Sequence, residues 1–172
     1  LVLMLGYHRA QNLTYRKELT FIPIPKKVSV ILGIGFVLML IQVILGTQVR
    51  ERIDQISFAL GDLLRGEWVS QVGINFLIHR SFSLVILGVH VLYLYWAFRY
   101  SSRKSSISMW SFLLMIILVL EISTGIGMAY FAIPAFLQPI HLVLGCMLVG
   151  VQFWLLLKLR ESSQVSLTTI KS

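Results

Sequence analysis

The chain has 172 residues, of which 57% are hydrophobic and only 13% charged, and its formal net charge is +8. A soluble domain has about 45–50% apolar and about 25% charged residues, so this composition excludes a water-soluble globule. Disorder is excluded too, because it requires low hydrophobicity. A single cysteine, Cys146, excludes an internal disulfide and a Cys-x-x-Cys metal site. We therefore expect an integral membrane protein.

The first 27 residues do not form a complete membrane segment. Residues 1–6 are apolar but too few to span a bilayer, and a polar, basic stretch follows them. No basic region precedes this run and it has no initiator Met, so a signal peptide does not fit. We interpret residues 1–27 as the end of an upstream helix and a basic inner-face linker, which makes the sequence the C-terminal part of a longer protein.

Four apolar stretches are each long enough for a transmembrane helix, which needs roughly 20 residues. None of them alternates between apolar and polar residues, which argues against a β-barrel. The sequence therefore predicts an all-α bundle of four transmembrane helices at residues 28–158. The predicted spans are residues 28–49, 72–98, 107–131 and 134–157, followed by an inner-face tail at 159–172.

Basic residues are concentrated on one side of the predicted bundle. The N-terminal segment, the second connection at residues 99–104 and the C-terminal tail are basic, whereas the first connection mixes both signs. The positive-inside rule then places both termini inside. The net charge is thus a topology signal in a lipid bilayer, and nucleic acid is not an expected partner. A bacterial inner membrane is favoured over the mitochondrial inner membrane.

The first connection, residues 50–71, is predicted to be an amphipathic helix on the outer surface of the membrane. Ile53, Ile56 and Leu60 recur at three- and four-residue spacing with charged residues between them, and Trp68 is expected at the interface. Two roles remain open for this helix: a cap that closes the bundle, or a lid over a site.

Titratable side chains inside a span are costly and usually functional. His79 in the second span and His141 in the fourth each lie about seven residues after the outer start of their span. Both helices run from outside to inside, so the imidazoles are expected at one depth. Two facing helices can then supply one axial ligand to each side of a haem, which predicts a bis-histidine haem. The alternative is that each histidine only hydrogen-bonds a neighbouring helix.

Other polar residues limit this prediction. Zinc fits less well, because it requires four ligands and no cysteine or carboxylate is expected in this layer. His90 follows His79 by 11 residues, about three turns, but the matching position after His141 is Gln152, a poor axial ligand. We therefore interpret His90 as a polar contact within the bundle. Glu121 in the third span is interpreted as hydrogen-bonded to a neighbouring helix, with a proton relay as the alternative.

Glycines near the predicted layer could leave room for a porphyrin, and arginines near it could pair with the propionates. Gly145, one turn after His141, and Gly125 in the third span are candidates for packing against a porphyrin, although small residues also serve ordinary helix packing. Arg80 and Arg50 lie near the same layer and are candidate partners for haem propionates. For Arg50, an anchor at the membrane interface is the alternative.

Four short segments, taken in order, make the sequence resemble the C-terminal half of haem A synthase. They are residues 42–50, 78–81, 123–126 and 139–141, one in each span. Proteins of that family usually have eight spans in two similar four-helix halves. The resemblance therefore implies that the chain is one half of a pseudo-symmetric protein and that the N-terminal half is its partner.

The resemblance implies an enzyme that oxidises the C8 methyl group of haem O to the formyl group of haem A for cytochrome oxidase. In that family the C-terminal half holds a haem b through two histidines, whose positions match His79 and His141. The substrate haem O would then belong to the other half, and the catalytic residues are not identified here. Implied partners are an electron donor, haem O synthase and a second copy of the chain. Some relatives carry a cysteine pair in the outer loop, but residues 50–71 have none, so thiol chemistry is not expected there.

Two other functions remain open. A cytochrome b subunit for electron transfer would share the bis-histidine core, but it usually holds two stacked haems, and His90 lacks a histidine partner for the second. A haem-free assembly scaffold would use both histidines only to connect helices.

Overall fold

The computed structural model describes residues 24–102 and 105–169, with side chains described through residue 161. Within these residues the chain is all-helical and has no β-strand. Four helices are long and apolar enough to cross a membrane, which confirms the predicted fold class. Residues 1–23 of the predicted segment 1–27 and the basic pair at 103–104 lie outside the described residues. In chain order the helices are α1 (Lys26–Leu60), α2 (Trp68–Gln71), α3 (Ile74–Tyr100), α4 (Ser106–Tyr130) and α5 (Leu137–Thr169).

The first connection differs from the predicted amphipathic helix. Helix α1 continues past residue 49 to Leu60, because no residue in that stretch breaks it before Gly61, whose φ of 69° favours glycine. A 3₁₀ helix (Asp62–Glu67) and the single turn α2 complete the connection. Trp68 is buried at 6% exposure, and its indole N–H donates to the Gly61 carbonyl at 3.3 Å. The tryptophan therefore packs against the loop that precedes it.

The two connections at this end of the bundle contact each other. The Arg65 guanidinium donates to the carbonyls of Ala132 and Ile133 at 3.0 and 2.8 Å. Those two residues have φ values of 54° and 53°, a left-handed turn that side chains rarely adopt. Arg65 therefore connects the loop after α1 to the turn between α4 and α5.

The other helix boundaries lie within a few residues of the predicted spans, except at the end of α5. Helix α4 begins after Ser105, whose side-chain oxygen accepts from the Ser108 N–H at 3.1 Å as an N-cap. Helix α5 begins at Leu137, three residues after Pro134, and continues to Thr169 through much of the predicted tail. The tail residues of the described chain are thus helical.

The four long helices form a bundle in which each packs against two neighbours. Helix α1 packs against α3 and α5, and α4 packs against the same two helices. Consequently α3 and α5 lie on one diagonal of the bundle, and α1 and α4 on the other. Apolar side chains also cover the exterior, as expected where lipid is the solvent. The buried core includes Val28, Leu32, Met39, Ile86, Leu114, Leu118, Leu148 and Leu155.

Candidate functional site

The two histidines that the sequence pairs lie on the diagonal helices. His79 is on α3 and His141 is on α5, and both side chains are half-buried. His90 and Gln152, each 11 residues further along α3 and α5, form a hydrogen bond with each other, so His79 and His141 lie at matching depth. The structure therefore brings both rings into one layer of the bundle.

A glycine from the other diagonal packs against each imidazole. A Cβ atom on Gly46 of α1 would lie 3.2 Å from Cε1 of His79. A Cβ atom on Gly125 of α4 would lie 3.4 Å from Cε1 of His141. We call these four residues the open layer: two histidines from one diagonal and two glycines from the other. A Cβ atom at Gly46 would crowd the His79 ring, whereas one at Gly125 would be in ordinary contact with the His141 ring and a longer side chain would be needed to displace it.

The His141 ring is held through one nitrogen. Its Nδ1 lies 2.9 Å from the Thr124 hydroxyl in a hydrogen bond, and 3.3 Å from Oε2 of Glu121. Within the described chain, the hydrogen bond and the carboxylate contact of this ring are both at Nδ1, and Nε2 has neither. The ring therefore has a fixed edge and a free nitrogen.

Glu121 shares this layer, so the expectation that no carboxylate lies there is wrong. Its Oε1 would lie 3.2 Å from a Cβ atom on Gly145, which means that this glycine makes room for the carboxylate. The signal was present in the sequence. Glu121 and Gly125 are one turn apart on α4, and Gly145 and His141 are one turn apart on the antiparallel helix α5.

His79 is held differently from His141. The Gln42 amide N–H of α1 donates to the His79 backbone carbonyl at 3.1 Å. The His79 ring Nδ1 is buried and has no hydrogen-bond partner among the described residues, as is also true of Gln42 Oε1. Buried polar atoms without partners are rare and need an explanation, of which a bound group is one.

The two candidate arginines occupy different surroundings. Arg50 lies one turn after Gly46 on α1, where it forms an ion pair with Asp54 at 3.0 Å and a hydrogen bond to the Gln138 side-chain oxygen on α5. Arg80 is exposed, and its guanidinium carbon lies 5.8 Å from the centre of the Phe76 ring on the same helix. Arg50 therefore bridges two helices beside the open layer, whereas Arg80 lies on the surface of α3.

A second histidine layer lies deeper in the bundle. Nδ1 of His90 donates to the Ile86 carbonyl at 2.8 Å, because a carbonyl can only accept. Nε2 must then accept, and it is bonded to the Gln152 amide nitrogen. A Cβ atom on Gly35 would lie 3.0 Å from Cε1 of this ring. The structure confirms that His90 is a polar contact within the bundle, and both of its ring nitrogens are used.

The chemistry of the open layer suits a haem. Within the described chain, no three residues among the histidines, cysteines and carboxylates come together as a metal-ion site. A haem needs only two protein ligands, which the two facing imidazoles can supply. The free Nε2 of His141, the unpartnered Nδ1 of His79 and the two glycines fit such a group.

Comparisons with known proteins agree with the resemblance found in the sequence. The family model COX15-CtaA, described as cytochrome oxidase assembly protein, matches residues 1–153. Searches of curated proteins and of solved structures gave no match. The family is associated with haem A synthesis, and its members lie in membranes, in keeping with the four long apolar helices. The chain therefore belongs to the COX15-CtaA family of cytochrome oxidase assembly proteins.

Proposed function

We propose that the chain is the haem b-binding half of a haem A synthase, the enzyme that oxidises the C8 methyl group of haem O to the formyl group of haem A. Family membership supports the general role in haem A synthesis. The open layer supports the finer assignment, because imidazoles from two diagonal helices lie in one layer and each packs against a glycine.

In this proposal His79 and His141 are the axial ligands. A haem held by both imidazoles would supply one-electron transfer. The protein contributes the positions of the ligands: Thr124 holds the His141 ring, and the Gln42 amide holds the backbone at His79. Gly46 and Gly125 keep the space beside the rings clear.

Arginines are proposed to bind the propionates of the haem. Arg50 is the better supported candidate, because its guanidinium already reaches the Gln138 side chain one turn before His141. A propionate would replace the Gln138 contact with a charge-assisted bidentate pair. Arg80 is the second candidate, from the exposed side of α3.

Substrate oxidation is assigned to a second four-helix half, as the resemblance implies. The residues of this chain then hold a fixed electron-transfer group, and haem O would bind to the partner half. We propose a bacterial inner membrane as the location, with an electron donor and haem O synthase as further partners and a homo-oligomer as a possible assembly.

The test is pigment analysis of the protein purified from membranes, with and without co-expressed haem O synthase and the partner half. We expect a low-spin b-type spectrum that is lost in His79→Ala and in His141→Ala. The matched control is His90→Gln, a histidine on the same helix whose replacement keeps an amide for Gln152. Haem A or hydroxylated haem O among the extracted pigments supports the synthase.

Two results would contradict the proposal. A protein that contains haem b but yields no oxidised haem O in the presence of haem O synthase and the partner half would point to an electron-transfer cytochrome. A protein without Soret absorption would point to a haem-free scaffold.

A further inference from the structure

The two imidazoles of the open layer differ in the hydrogen bonding of their ring nitrogen Nδ1. His141 has a hydrogen bond at Nδ1, whereas Nδ1 of His79 is buried with no hydrogen-bond partner in the described chain. A neutral imidazole has one protonated and one unprotonated nitrogen, and only the unprotonated nitrogen can bind a metal. The partner of Nδ1 therefore decides whether Nε2 is available.

The direction of the Thr124 hydrogen bonds can be worked out from their partners. The Thr124 hydroxyl lies 2.8 Å from the backbone carbonyl of Glu121, which can only accept. We assign the single hydroxyl proton to that carbonyl. With this assignment the hydroxyl oxygen accepts from His141, and Nδ1 of His141 carries the ring proton.

A second acceptor lies at the same edge of the ring. Oε2 of Glu121 is 3.3 Å from Nδ1 of His141, and it is a buried oxygen without a hydrogen-bond partner among the described residues. The side chain is 13% exposed. In its ionised form Oε2 is an acceptor like the Thr124 oxygen, and two acceptors beside Nδ1 favour a proton on this nitrogen.

We propose that Thr124 is a positioning residue that fixes His141 as the Nδ1–H tautomer and leaves Nε2 as the free lone pair. The inference rests on the proposed function only in that the lone pair then serves haem iron. His141 is the preorganised ligand of the pair, and His79 adjusts its ring when the group binds. Partners of ligating histidines outside the metal's own contacts commonly orient the ring and fix its tautomer in this way.

The first test is nitrogen-15 NMR of the full chain in lipid bilayers, labelled at histidine and prepared without haem. We expect His141 to be protonated at Nδ1, with the signal assigned through His141→Ala. In Thr124→Val, which keeps the shape but removes the hydroxyl, the Nε2–H tautomer should become populated. An Nε2–H tautomer in the unmodified protein, or an unchanged tautomer in Thr124→Val/Glu121→Leu, would overturn the inference.

The second test is the rate at which the haem-loaded chain loses haem to a scavenger protein. Loss of such a partner typically weakens binding 10–100-fold, so we expect dissociation about 10-fold faster in Thr124→Val. Thr124→Ser keeps the hydroxyl and should restore the rate. Ser123→Ala is the matched control, because this neighbouring hydroxyl donates to the Val119 carbonyl and contacts no histidine.

Negative results in the two tests would contradict different claims. Equal rates in Thr124→Val and the unmodified protein would contradict the role of Thr124 while leaving the haem assignment intact. A chain that binds no haem would contradict the proposed function, and the tautomer measured by NMR would still decide how Thr124 acts on His141.

Discussion

Two layers of the bundle have similar components on α1 and α3 and different ones on α4 and α5. Each component of the deeper layer lies 11 residues from its counterpart in the open layer, which is about three helical turns. We call the deeper set the closed layer. In the open layer the components are Gly46, His79, Gly125 and His141, and in the closed layer they are Gly35, His90, Leu114 and Gln152.

The difference lies in what opposes the α3 histidine. In the closed layer Gln152 occupies the free ring nitrogen, and Leu114 stands where the open layer has a glycine. These side chains are between 0 and 2% exposed, so the layer is filled. In the open layer a second histidine replaces the glutamine and Gly125 replaces the leucine. In the proposed function, this difference makes the α3 histidine of the open layer a haem ligand and that of the closed layer a structural contact.

The largest effect is expected from filling the open layer. Gly125→Leu would give the open layer the leucine that the closed layer has at Leu114. A Cβ atom at Gly125 would already lie 3.4 Å from the His141 ring, so the rest of the leucine side chain would crowd that ring. We expect haem content to fall at least about 10-fold, as for loss of a ligand-orienting contact, without loss of helix content.

The control for this substitution is Gly33→Leu, since a Cβ atom at Gly33 meets nothing within 4 Å. Its haem content should match that of the unmodified protein. Normal haem content in Gly125→Leu would contradict the idea that this glycine keeps the layer open.

A substitution in the closed layer should change stability and leave the haem unchanged. Gln152→Leu removes the partner of Nε2 of His90 and leaves that nitrogen buried and unpaired. Such a change costs about 1–3 kcal/mol, which a denaturation midpoint in detergent would detect. A shifted haem spectrum with unchanged stability would reverse the roles of the two layers.

The two α1 glycines provide a matched pair with a smaller effect. Alanine at Gly46 or Gly35 would place a Cβ atom 3.2 or 3.0 Å from the histidine ring of its layer. An alanine stabilises a helix by about 1 kcal/mol relative to glycine, and a displaced rotamer costs about 0.5–1.5 kcal/mol, so the net stability change is small. We expect Gly46→Ala to shift the haem spectrum and Gly35→Ala to leave it unchanged. Equal spectra for both variants would remove the distinction between the layers.

The smallest effect is expected at the edge of the open layer. The Arg50–Asp54 ion pair is exposed and contributes at most about 1 kcal/mol to stability. Arg50→Ala should therefore leave the stability nearly unchanged while haem dissociates a few-fold faster, as expected for the loss of one charge-assisted contact. Asp54→Ala removes the Arg50–Asp54 ion pair but keeps Arg50, the proposed propionate partner. Haem should dissociate from this variant as slowly as from the unmodified protein.

Much of the fold could be predicted because long apolar runs are a strong signal, but the limits of its elements could not. The prediction ended the first span at residue 49, where charged residues begin, yet α1 continues to Leu60 because charges do not stop a helix. The contact of Trp68 with the Gly61 carbonyl could not be predicted, because it depends on how the loop folds back.

The sequence predicted how deep in the bundle the site residues lie, but not how each helix is rotated about its own axis. Counting residues from the span ends was enough to pair His79 with His141 and His90 with Gln152. It does not give the angle at which neighbouring helices face each other, so the contacts of Gly46 with His79 and of Glu121 with His141 were missed. Gly145 was interpreted as room for a porphyrin, whereas in the structure it borders the Glu121 carboxylate.

The most direct test of the central claim is electron paramagnetic resonance of the ferric haem in the purified full chain. We expect one low-spin signal of the bis-imidazole type, retained in His90→Gln and absent in both His79→Ala and His141→Ala. A bis-imidazole signal that persists after loss of either histidine of the open layer, or that disappears in His90→Gln, would contradict the assignment of the haem to that layer.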